Sequence, residues 1–129
     1  MANAAVLTSL VESRNTEPNV KPIWEQVVTF TIETGGGHAE LSHTVPVNGT
    51  LREMVIEVGA AAGITGTVDV DFDDNRGVEF DTNATLAEGS ETIVTPSGGK
   101  VVDGFIIRVD ASAAPTSGNW DIVVTCRGD

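Results

Sequence analysis

A chain of 129 residues is long enough for one domain with a substantial core, because a chain of this size buries roughly two-thirds of its unfolded surface. Its 19 Asp and Glu against 7 Lys and Arg give a formal net charge of −12, which excludes the basic stripe that a nucleic-acid partner requires. No stretch approaches the ~20 apolar residues of a membrane-spanning helix.

Val, Ile and Thr together supply 41 residues and Leu only five. β-Branched side chains lose less freedom in a pleated strand than against the preceding turn of a helix, so the chain is expected to be all-β. The first 23 residues stand apart. MANAAVLTSLVESR lacks a basic n-region and a continuous apolar run, so no signal peptide is expected. Leu7, Leu10, Val11 and Arg14 have helical spacing, but Pro18 and Pro22 favour an extended path. Residues 1–23 are therefore expected to form an extended N-terminal arm with one short helix, ahead of a β-sandwich domain over residues 24–129. Glu12 and Glu17 balance Arg14 and Lys21, so the net charge belongs to the body.

From Trp24 the apolar period is two. In WEQVVTFTIE, Val28, Phe30 and Ile32 share a face with Trp24. TGGGHAE is a flexible turn, LSHTVPV a strand that Pro46 pushes toward a sheet edge, and NGT a turn. LREMVIEV follows with Met54, Ile56 and Val58 inward, and GAAAGIT is a loop of small residues. In GTVDVDFDDNRGVEFD, Val68, Val70 and Phe72 occupy one face, DDNRG reverses the chain, and Val78 and Phe80 return on that same face. NATLAEG connects to the strand SETIVT, the loop PSGGK, the strand VVDGFIIRVD, the loop ASAAPTSGN and the strand WDIVVTC. About eight strands between turn signals imply an antiparallel β-sandwich or jelly roll.

The hairpin's six carboxylates, Asp69, Asp71, Asp73, Asp74, Glu79 and Asp81, raise the question of a metal. Asp69, Asp71 and Asp73 match the first ligand spacing of an EF-hand loop, but its Gly and Glu positions hold Asp74 and Phe80. A calcium site at the tip would use Asp73, Asp74 and Asn75; the preferred reading is a solvated face with no metal. His38, Glu40 and His43 have the wrong order for a zinc protease, and SGGK fails as a phosphate loop because Val101 follows the lysine. No Ser, His and Asp set is recognisable, so no enzyme and no cofactor are expected. Cys126, the single cysteine, lies in the apolar phase of its strand and reads as a small core residue. Trp24 and Trp120 read as core or rim anchors. The sequons at Asn48 and Asn83 lack a secretory context, and Arg127-Gly128-Asp129 at the chain end reads as a chance tripeptide.

A short arm before a compact β-sandwich, with GAAAGITGTVDVDF in one hairpin and PTSGNWDIVVTCRG at the end of the chain, resembles the small virion proteins of tailed bacteriophages, especially head decoration (cement) proteins. The resemblance spans the whole chain in its organisation. It implies a non-enzymatic structural protein on the capsid surface of a virion, which bridges major capsid protein or other virion subunits and stabilises the lattice. A tail or fibre accessory protein is the alternative within virions, and a calcium-assisted extracellular binding module the alternative from another class. An arm of modest hydrophobicity can order on a neighbour while the acidic body faces solvent. Val6, Leu7, Leu10, Val11, Val20 and Ile23 are the expected partner-binding residues, and a homo-oligomer is expected.

Overall fold

The computed structural model describes residues 4–13, 23–34, 40–61 and 63–129, residues 4–13 and 23 by their backbone. Eight strands follow in chain order: β1 (Ala4–Ser13), β2 (Ile23–Glu33), β3 (Leu41–Val58), β4 (Thr67–Asp74), β5 (Glu79–Ala87), β6 (Glu91–Val94), β7 (Lys100–Ala111) and β8 (Asn119–Gly128). All their pairings are antiparallel.

The pairing order makes two layers from one continuous network. β1, β2, β8, the second half of β3 and β6 form one sheet. The first half of β3, β7, β4 and β5 form the other. This is the connectivity of a jelly roll with one additional edge strand, β1. Its corner is unusual because NGT, expected to reverse the chain, is spanned by strand. β3 runs 18 residues without a break and changes layers as it bends. Irregularities fall between Val45 and Asn48 opposite β7, and between Leu51 and Glu53 opposite β8. Pro46 cannot donate to a ladder, and Gly49 takes a φ of 154° that glycine accommodates. The extra residue at Arg52 also resets the pleat, so the inward positions change from Val45, Val47 and Leu51 to Met54, Ile56 and Val58.

The helix expected at Leu7, Leu10 and Val11 is corrected: these residues lie in β1, along the edge of β2. Leu7 stands opposite Val28 and Leu10 opposite Gln26, with a register shift between Leu7 and Ser9. The shift explains the mistaken period, because a one-residue bulge brings positions three apart opposite the same phase of the neighbouring strand. Arg14 lies outside the described residues. Ile23, assigned to the arm by sequence, begins β2. NATLA, expected to be connecting chain, belongs to β5.

The core lies between the layers. Trp24, Val28, Phe30 and Ile32 from β2, Val68, Val70 and Phe72 from β4, and Trp120, Ile122, Val124 and Cys126 from β8 are all buried, as their alternation predicts. Each large apolar side chain fully buried contributes about 1.5–3 kcal/mol. Phe80 joins this core at its margin, with ring centroids 6.2 Å from Phe72 and 6.5 Å from Phe105. Val78, expected on the same face, is 59% exposed because it lies in the reversal before β5 begins.

Candidate functional site

β4 and β5 form the expected hairpin, and its carboxylates hold the protein's own groups. At the tip, Asp74 Oδ1 accepts hydrogen bonds from the backbone N–H of Arg76 and Val78, both at 2.9 Å. Those two bonds hold the Asp74 carboxyl below its ordinary pKa, Val78 contributing most. Gly77, with a φ of 81°, completes the reversal and donates its N–H to the Asp74 carbonyl at 3.1 Å.

Further along, Asp69 Oδ1 accepts the N–H of Thr85 at 2.8 Å. Thr85 has a φ of 58°, uncommon for a β-branched residue, in the stretch where the β4–β5 register slips. The carboxylate thus ties down the slipped segment. Asp71 accepts from Thr82 Oγ1 at 2.5 Å, and Asp81 accepts from Asn83 Nδ2 at 2.7 Å. Burial raises the Asp81 carboxyl above its ordinary pKa, against the Asn83 bond and with help from the Asp71 and Glu79 charges.

Arg108 of β7 supplies the counter-charge that sequence reasoning missed. Its Nε and Nη2 grip Asp73 at 2.7 and 2.9 Å. The same guanidinium reaches Glu79 at 3.2 Å, Glu40 at 3.3 Å and Asp71 at 3.7 Å. The Asp73 bond raises the Arg108 pKa further, so the cation is permanent. The acidic face expected to be solvated is only partly so, because it also carries a network bound within the fold, with Asp73 buried and Glu79 exposed. Of the calcium candidates, Asp73 binds Arg108 and Asp74 binds the turn backbone, while Asn75 stands exposed at the tip. β4 itself, with four aspartates and no cation, gave no sign of a cation opposite; the partner is 35 residues from Asp73 in sequence.

The other sheet has its own pairs. Arg127 of β8 bridges Glu25 of β2 and Glu53 of β3, both at 2.6 Å. Arg52 reaches Asp129 at 3.1 Å, so both charged members of the terminal tripeptide have partners within the chain. Lys100 lies 5.4 Å from the centre of the Phe80 ring, and the Pro96–Gly99 turn before it closes through a 2.9 Å backbone bond. His43 is partly buried in β3, which lowers its pKa; His38 lies outside the described residues. Cys126 is fully buried, and burial alone raises its pKa, which leaves a protonated thiol.

Five of the six expected partner-binding residues are among the described residues, and their backbone lies at one margin of the sheet. Val6, Leu7, Leu10 and Val11 lie in β1 opposite Thr29, Val28, Gln26 and Glu25, and Ile23 lies opposite Ser13. Val20 lies outside the described residues.

No protein-family model matches the chain, and no curated protein matches it. Among solved structures it is similar to the enzymatically active domain of tailspike protein 4 of bacteriophage CBA120, at 11% identity and a TM-score of 0.40, over 96% of this chain and 19% of that one. It is also similar to the VP2 subviral particle of infectious bursal disease virus, at 9% identity and a TM-score of 0.36, over 92% of this chain and 36% of that one. A family 35 carbohydrate-binding module from Clostridium thermocellum matches at 9% identity and a TM-score of 0.37, over 97% of this chain and 98% of that one. The chain thus spans about a fifth of the tailspike domain and about a third of the viral protein.

Proposed function

We propose that this chain is a non-enzymatic structural protein of a virion, which binds the outer capsid surface and stabilises the lattice through contacts with major capsid protein or other virion subunits. The observation that carries this reading is the contrast between body and margin. In the body, Arg108 and Arg127 tie carboxylates together across strands and Arg52 pairs with Asp129, which stiffens both sheets and leaves an acidic exterior for solvent. At the margin, β1 carries one carboxylate and no cation in ten residues, a low-charge edge suited to a neighbouring subunit. Val6, Leu7, Leu10 and Val11, with Val20 and Ile23, are the residues assigned to that contact.

The test is to image particles assembled with and without the chain. Regular density on the outer capsid lattice, together with lower heat resistance of particles lacking the chain, is the expected outcome. Density on the tail instead would favour a tail or fibre accessory role. Particles that never incorporate the chain would overturn a virion role.

A further inference from the structure

Among the described residues, two buried side-chain polar atoms have no hydrogen-bond partner: Trp24 Nε1 and Gln26 Oε1. Both residues belong to β2 and are 4% and 2% exposed. They stand two apart, on the same inward face of the strand. The indole nitrogen can only donate and the carboxamide oxygen can only accept. These two groups are chemically complementary, yet they are not bonded to each other.

The backbone around the Trp24 ring is closely packed and largely paired. Trp24 and Gln26 lie opposite Gly128 and Cys126 of β8. The Trp24 ring occupies the place where a side chain at Gly128 would stand, since a Cβ there would lie 2.5 Å from Cζ2. Its nitrogen lies beside Gly49, whose own Cβ would be 3.3 Å away. The nearby Thr50 N–H and C=O are already paired with Asp129, at 2.8 and 3.0 Å. Alternate Cα atoms of a strand are roughly 6–7 Å apart, which puts two long side chains on one face within reach of a single bridging molecule.

We propose that this corner of the sandwich holds one internal water molecule, which accepts from the Trp24 indole N–H and donates to Gln26 Oε1. Both partners are neutral, so the site takes a neutral donor–acceptor molecule and not an ion. It lies where β3 passes from one layer to the other, and it satisfies polar groups that neither layer reaches alone.

Trp120 provides an internal control, because its indole N–H donates to the Gly59 carbonyl at 2.8 Å. In the full-length, 15N-labelled protein, magnetisation transfer from water should reach the Trp24 indole proton and leave the Trp120 proton without a cross-peak. Gln26→Met should remove the Trp24 cross-peak and lower the melting temperature. A crystal structure of the unmodified protein supplies a test independent of any variant, with a water peak expected at hydrogen-bond distance from both atoms. Three results would overturn the assignment: no transfer to Trp24, a Gln26 carboxamide bonded directly to the indole, or a Gln26→Met protein that melts several degrees higher.

Discussion

Arg108 and Arg127 occupy equivalent places in the two sheets, each on a strand flanked by carboxylates, and they do different work. Arg127 is half exposed, its side chain at 48%, and shares one charge between two glutamates. Arg108 is 24% exposed and meets four carboxylates, one of which, Asp73, is only 12% exposed and gripped by two nitrogens. Exposed pairs are screened and typically contribute 0.2–1 kcal/mol. A carboxylate drawn out of water depends on its partner much more heavily. The difference teaches that burial and geometry, more than the number of pairs, decide what a cation contributes.

The most severe challenge comes from beneath the Arg108 cluster. Phe105 is fully buried and meets the rings of Trp24 and Phe80, so Phe105→Ala should cost about 3–5 kcal/mol in urea unfolding. If either arginine replacement costs more than this, charge and not packing dominates both regions. Next in size, Arg108→Met should cost about 2 kcal/mol, below the full penalty for a buried pair because the cluster is partly open to solvent. Arg127→Met should cost no more than about 1 kcal/mol. Equal losses at the two positions would end the distinction drawn between them.

A smaller effect follows from Asp81. Its folded pKa lies above the ordinary value of 3.8 because of burial, so the native state favours the neutral acid. The stability this contributes is full below the unfolded pKa and is lost as pH rises through the folded one. Asp81→Asn should therefore be more stable than the parent at neutral pH, with the advantage vanishing in acid; an advantage that grows in acid would contradict the assignment. Smallest of all, calcium or a chelator should leave the melting temperature nearly unchanged, because Asp73 and Asp74 are already occupied by Arg108 and by turn N–H groups. A rise of several degrees with calcium would show that the hairpin exchanges those bonds for a cation.

Regular alternation was readable from the sequence. The inward phases of β2, β4 and β8 follow directly from their residues, as does the hairpin reversal at DDNRG. Bulges were not readable, because an inserted residue leaves local composition unchanged while altering phase. Thus Leu7 and Leu10 mimicked a helix, and Asn48-Gly49-Thr50 resembled a reversal although β3 only bends there. In the candidate site, the acidic side of β4 was evident from its spacing. Its partner was not, since the strand order that brings Arg108 beside Asp73 is a long-range property. Nor could spacing show that Asp69 and Asp74 hold backbone N–H groups, which depends on the exact turn and slip geometry.

The uninterrupted path of β3 has a mechanical consequence. In a sandwich whose layers meet only through side chains, a shearing load on one layer passes to the other through weak, easily rearranged contacts. Here the covalent backbone itself crosses between them, with β8 and β6 gripping one half and β7 the other. Tension applied to either layer travels along peptide bonds to its counterpart, and neither can slide away while β3 stays paired.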